Sequence, residues 1–390
     1  MAITASRLRN QPKRAGKTVS RPTPRTEAES RLNHAVDAKR KGRRKKKVPA
    51  KDLAVVLRQM ATMLQSGLTL VRALGVLAMQ TRNETLTGVL TRVRDDVEQG
   101  RSLSESMARH PKTFGRLIIA MVRAGETGGV LDQTLGRLAE TYEKEADLRR
   151  KVKSAMTYPA VIGSLSVVIV IAMLIVVVPT FEGLYADLGG TLPLPTQILL
   201  LLSRGVRSYF FIWTTATGLG FYAFLKWRAT PKGRYALDRT LLKVPIFGRL
   251  FLQTALARFS RTFASMLRAG VPVLQALEIT RETAGNAVIA EAIQKVSVSV
   301  RDGASIAKPL EEAGVFPPLL TQMIAVGEET GAVDDLCEKV AEHFESEVDA
   351  AVAAMTSLVE PVLIAFLGIV IGGMVTALYL PMFKLVEIVG

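Results

Sequence analysis

Apolar residues follow two regimes along this chain. In the first they recur at helical spacing: Leu53, Val56, Leu57, Met60 and Leu64 line one face of a helix, with polar residues on the other. Gly67 ends that helix, because glycine takes the left-handed cap without steric cost. The same reading predicts helices over 68–79 and 85–98, the latter closed by Gly100. Ser102, with Glu105 three residues on, is a capping pattern that opens a short fourth helix. A fifth runs from Phe114 to Arg123, and Gly125, Glu126, Thr127 and Gly128 turn the chain into a sixth, Val130 to Lys153.

In the second regime charge disappears. No charged residue stands between Ser154 and Phe181, and the 19 residues from Ala160 to Val178 are almost all aliphatic. At 1.5 Å per residue that run crosses a hydrocarbon core of roughly 30 Å. A less apolar stretch of 18 uncharged residues lies between Arg207 and Lys226, flanked by Tyr209, Tyr222 and Trp227 as interfacial aromatics. A third, from Pro361 to Phe383, has 23 uncharged residues.

The first regime occurs twice. The stretch ATMLQSGLTLVRAL at 61–74 returns at 264–277 as ASMLRAGVPVLQAL, an offset of 203 positions that carries Gly67 onto Gly270. Gly125-Glu126-Thr127-Gly128 is answered by Gly327-Glu328-Glu329-Thr330-Gly331, read as having one residue inserted. Each copy ends in a proline, Pro159 or Pro361, followed by an apolar run. One helical module has been used twice, each time feeding a membrane segment. The expected fold class is therefore an all-α membrane protein: two homologous cytoplasmic helical bundles of about six helices each, plus three transmembrane helices.

The expected order is a disordered basic tail (1–50), a first bundle (51–153), a first span (154–181), a periplasmic loop (182–207) and a second span (208–226). A basic linker (227–254), a second bundle (255–357), a third span (358–383) and a short tail (384–390) follow. The net charge of +16 alters this picture little once it is located. Residues 1–51 hold 17 Lys and Arg against Glu27, Glu29 and Asp37, so the rest is close to neutral. The dense run Arg40 to Lys47 suits anionic headgroups. Nucleic-acid binding is the sharper alternative for the tail, but no base-reading aromatics accompany the charges. The opening residues carry no secretory-signal pattern. Lys and Arg crowd positions 144–153 and 226–249, while Arg204 and Arg207 are the only two between the first two spans. The positive-inside rule then puts the N-terminus and both bundles in the cytoplasm.

Candidate chemistry is sparse. Cys337 is the one cysteine and excludes an intramolecular disulfide. The three histidines, His34, His110 and His343, form no catalytic or metal pattern, although His343 and Glu347 share a helix face. The acidic cluster Glu338, Glu342, Glu345, Glu347 and Asp349 is either a cation or basic-partner site or a solvated face. No cofactor and no enzymatic activity are expected. Glu360 is the one charge between Ala350 and Phe383. It is either a functional carboxylate at a bilayer boundary or a cap for a helix starting at Pro361. Pro159 and Pro361 are expected to bend or restart their helices. Gly368 and Gly372 form a small-residue face suited to close packing of membrane helices.

Taken together, QMATMLQSGLTLVRAL and its copy, GETGGVLDQTL and GEETGAVDDL, Tyr158-Pro159, LPLPTQ at 192–197 and LVEPVLIAFLGIVIGGMVTALYLPMF at 358–383 resemble the type II secretion F / type IV pilus PilC family. The resemblance covers about residues 51–390. It implies a non-enzymatic platform in the bacterial inner membrane. Its implied partners are a hexameric secretion ATPase, pilins or pseudopilins, other inner-membrane platform proteins and further copies of itself. Membrane lipid surrounds it, and no nucleic acid is implied. A transporter built from repeats is the alternative of another class; three spans with no charge beyond boundary Glu360 argue against it.

Overall fold

A computed structural model describes residues 48–188, 193–245 and 247–389, without the side chains of 184–188, 210 and 382–389. The basic tail over 1–47, Gly189, Gly190 and Gly390 lie outside the described residues. Every regular element among the described residues is helical.

The first copy contains α1 (Ala50–Gln65), α2 (Leu70–Gln80), α3 (Glu84–Glu98), α4 (Leu103–Ala108), α5 (Arg116–Gly128) and α6 (Leu131–Ala172). The apolar face read from the sequence does turn inward: Leu53, Val56, Leu57 and Met60 are buried and Leu64 is partly so, and Leu74, Leu77, Leu86 and Leu90 of the next two helices join them in the core. Asn83 opens α3 by accepting hydrogen bonds from the amides of Thr85 (3.1 Å) and Leu86 (3.3 Å), which satisfies two of the orphan donors at a helix start.

Helix α6 does not stop at Lys153. It continues through Pro159 into the apolar run, passes through a π-helical turn at Met173–Val177 and goes on as α7 (Val178–Leu188). The expected restart at Pro159 is thus corrected to an unbroken helix. Proline removes one amide donor, a loss that a long membrane helix tolerates. The expected loop over 182–207 is likewise largely helical: beyond α7, α8 (Leu194–Ser208) lies against the ends of the two apolar runs. Leu199 and Leu200 of α8 pack with Leu174, Val178, Met374 and Leu378. The Ser203 hydroxyl donates to the carbonyl of Leu174, and that of Thr196 donates to Ala377, both at 2.5 Å. In the π-helical turn, the Leu174 carbonyl thereby gains a side-chain partner.

Helix α9 (Phe210–Ala229) follows, with every described residue exposed. The expected linker over 227–254 is mostly helix, comprising α10 (Pro231–Lys243) and the start of α11 (Phe247–Arg268). The second copy then repeats the first: α12 (Val273–Thr283), α13 (Ala287–Arg301), α14 (Ala307–Glu312), α15 (Pro318–Thr330) and α16 (Val333–Val389). Phe259 stacks on Phe263 with ring centroids 5.7 Å apart and meets Phe316 at 5.4 Å, filling this copy's interior. Asn286 repeats the cap of Asn83, accepting from Val288 at 2.9 Å and Ile289 at 3.2 Å. Helix α16 runs unbroken through Pro361 and Pro381. Two helical runs, Leu131–Gly183 and Val333–Pro381, are long and apolar enough to cross a membrane.

Cys337 sits in the second copy's core, fully buried. Burial foremost, and then Asp334, push its thiol up to about 12, so it stays protonated at pH 8, where a free thiol begins to ionise. Maleimide added at pH 8 to the folded protein in detergent is expected to leave Cys337 unlabelled and to label it fully after denaturation. Labelling of the native state at the rate of a free thiol would contradict this packing.

Candidate functional site

The repeated Gly-Glu motif is a structural clamp. Glu126, on the last turn of α5, receives the amide of Leu103 at 2.5 Å and that of Ser104 at 3.1 Å. These are the first amides of α4, so Glu126 caps a helix more than twenty residues upstream. Glu328 does the same in the second copy, receiving Ile306 at 2.6 Å and Ala307 at 3.0 Å. A carboxylate at a helix N-terminus satisfies orphan donors and suits the positive dipole end. The Ser102–Glu105 pattern supplied half of the expected box, with Ser102 accepting from the Glu105 amide at 3.2 Å.

Gly125 and Gly327 precede these glutamates for a steric reason. A Cβ on Gly125 would stand 2.7 Å from the Thr134 hydroxyl, and one on Gly327 would stand 2.7 Å from the Cα of Val333. The last turn of α5 or α15 therefore touches the first turn of the following helix almost backbone to backbone. Gly125 to Gly128 are helical, which corrects the turn expected there. The left-handed residue that ends the helix is Gly129 (φ 67°), matched by Gly331 (φ 74°). The motifs thus align at a constant offset of 202 (125 to 327, 129 to 331), without an insertion, and Gly128 is not the partner of Gly331. Gly67 (φ 80°) and Gly270 (φ 78°) close α1 and α11 in the same conformation.

The acidic cluster of the second copy is almost wholly consumed in pairing. Arg261, 7% exposed, lies between Glu338 at 3.2 Å and Glu345 at 2.8 Å. Arg268 pairs with Glu338 and with Asp335, Glu347 accepts from Arg249 and Gln253, and Lys339 holds Glu342. The Arg249 hydrogen bond holds the Glu347 carboxyl below its ordinary range. No group of His, Cys, Asp and Glu able to hold a metal occurs among the described residues.

The composition of the chain did not indicate which face each copy turns to the other. Here α6 of the first copy docks on α11 and α16 of the second. Arg137 donates to the carbonyl of Arg268 at 2.5 Å, and the hydroxyls of Thr141 and Ser265 lie 2.9 Å apart. Lys151 pairs with Asp349 at 2.6 Å, Lys144 with Glu345 at 3.5 Å, and Arg116 with Glu282 at 2.5 Å. Arg258 lies largely buried with Glu145 at 3.9 Å, and burial lowers its pKa from the ordinary arginine value. A cleft of about 400 Å³ between α6 and α16 is lined by Lys144, Asp147, Leu148, Lys151, Glu342, Glu345, Ser346 and Asp349. The signal for this interface was present in AETYEKEAD at 139–147 and AEHFESEVD at 341–349, a third echo of the duplication.

The remaining candidates lie along the membrane helices. Pro159 and Pro361 are helix-internal. Glu360 is internal to α16 as well, so its expected role as a cap is corrected; it is exposed, with no partner among the described residues. Gly368 and Gly372 are exposed, and a Cβ on either would meet nothing within 4 Å, so the close packing expected of them does not occur within this chain.

Comparison with known proteins follows the same two copies. A family model described as type II secretion system (T2SS), protein F matches residues 56–179 and again 259–381. The type IV pilus assembly protein PilC of Thermus thermophilus is 44% identical over 337 residues, 86% of this chain and 83% of that protein. Its namesake from Myxococcus xanthus is 42% identical over 338 residues, 87% and 81% of the two chains. The type II secretion system protein F of Pseudomonas aeruginosa is 36% identical over 350 residues, 87% and 84%.

Replacing Glu126 or Glu328 by alanine leaves two helix-starting amides without an acceptor and is expected to cost about 1–3 kcal/mol. Gly327→Ala forces a Cβ against backbone and is expected to cost about as much through overpacking. Thermal denaturation in detergent reads both, and unchanged midpoints for the two glutamate variants would remove the clamp from the account.

Proposed function

The chain belongs to the type II secretion system protein F family, and from that premise we propose that it is a non-enzymatic platform protein of a type IV pilus or type II secretion machine in the bacterial inner membrane. Its cytoplasmic bundles receive a hexameric assembly ATPase, and its membrane helices hand displacement on to pilin or pseudopilin subunits.

One observation carries this reading. The last helix of each bundle is also the membrane helix, with no joint between them. A packed helical interior yields little to an applied displacement, so a push on either bundle moves its span. Topology follows from the packing of copy on copy. Bundles joined through Arg137 to Arg268 and Thr141 to Ser265 share one side of the bilayer. The chain leaves that side through the first run and must return before α11. Helix α9, 20 residues long and exposed all round, is the segment suited to the return, giving three crossings. The cations that flank it on α10 favour the cytoplasm for both bundles.

Inserting Gly-Gly-Ser-Gly-Gly between Lys153 and Ser154 interrupts the first continuous helix. The variant is expected to reach the membrane and retain the ATPase on co-purification, yet to lose pilus assembly or secretion in a complemented null strain. Full function would overturn rigid transmission. Glu360→Ala is expected to impair assembly without affecting insertion, and unchanged assembly would remove Glu360 from the mechanism.

A further inference from the structure

The two copies meet through unlike surfaces. Helix α6 of the first covers α11 and α16 of the second, and α5 touches α12, whereas α16 makes no comparable packing on α1. Such a contact is heterologous: it uses one face of the first copy and a different face of the second. Each copy therefore retains the face that its twin has used.

Both unused faces are open. Arg58 and Arg261 are equivalent residues with equivalent partners, Glu143 and Glu345. Arg261 is 7% exposed because α6 lies over it, while Arg58 is 46% exposed. Thr62, which stands where Ser265 meets Thr141, is exposed. On the second copy, Lys339 and His343 occupy the places of Arg137 and Thr141, and both are exposed. Part of the pairing chemistry is kept: the donors Arg137 and Thr141 are answered by Lys339 and His343, while the cations of Lys144–Glu345, Lys151–Asp349 and Arg258–Glu145 are answered by Ser346, Ala353 and Val55, so those three pairs have no counterpart. Lys339 and His343 bring donors toward a face that carries Glu140 and Glu143. Where the copies join through the ion pair Arg116–Glu282, the free faces present Pro318 and Met79, an apolar pair, with Met79 81% exposed.

We propose that a second copy of this chain docks head to tail, its α1 face against the Lys339–His343 face of α16, repeating between molecules the contact that joins the copies within one. The inference rests on the geometry of the duplication and not on the function proposed above. A heterologous contact of this kind propagates to a ring or a filament, according to whether its rotation closes.

The test uses the full-length chain in detergent, in which Cys337 is buried. Differently tagged Thr62→Cys and His343→Cys chains are co-expressed and oxidised. The expected product is a covalent species of twice the chain mass containing both tags, absent when either variant is expressed alone. A second pair, Gln65→Cys with Lys339→Cys, gives the same reading if one of the first variants does not insert. A dimer formed by Thr62→Cys alone would mean that like faces meet and would overturn the proposal. No mixed product, or a wild-type chain that stays monomeric at micromolar concentration by light scattering, would overturn it as well.

Discussion

A chain that passes from water into hydrocarbon must carry its backbone hydrogen bonds with it, and a helix is one of the few ways to do so. Here that constraint is met by not ending the helix at all. The final helix of each copy is bundle wall at one end and membrane span at the other. Leu135 and Leu138 are buried in the first bundle, while Val161, Leu165 and Val168 on the same helix are exposed along its apolar run. Charged residues cease after Lys153, and the helix continues from the bundle into the apolar run without a break.

The other features serve to hold these two long helices in place. The clamp of Glu126 and Glu328 fixes the short α4 and α14 to the helices that precede α6 and α16. Gly125 and Gly327 allow those preceding helices to touch the long ones at backbone distance. At the far end, α8 ties the two runs together through Ser203 and Thr196, whose hydroxyls reach carbonyls of different spans. Buried polar contacts of this sort specify position because leaving either partner alone costs more than the bond contributes.

Duplication supplied two similar modules, but similar modules need not pack symmetrically. Within each copy the same Arg–Glu pair recurs, Arg58 with Glu143 and Arg261 with Glu345. Its surroundings differ, because one pair is covered by the neighbouring copy and the other is not. The buried arginine takes a second carboxylate, Glu338, where the exposed one has Gly136 at the aligned position. Charge taken out of water needs partners, and the second copy carries them. The ion pairs across the interface would be of modest value singly on a surface; as a network around α6 they set which faces meet.

The sequence by itself determined the helices of the two bundles, the duplication and the apolar runs, because periodicity and charge absence are local properties of the chain, but it read α8 and α10 as loop and linker. Gly67 and Gly100 marked helix ends, and Ser102 a helix start, for the same reason. It misplaced the turn at Gly125–Gly128, where GETGG offers three glycines and only folding selects Gly129 for the left-handed cap. Pro159 and Pro361 read as bends or restarts, yet both lie inside continuous helices, where one missing donor is tolerated. Tertiary structure alone decided that Glu126 and Glu328 reach back to amides over twenty residues away, that the acidic cluster pairs inward, and that the copies join through unlike faces. Those outcomes depend on distances between segments remote in the chain, which no local pattern encodes.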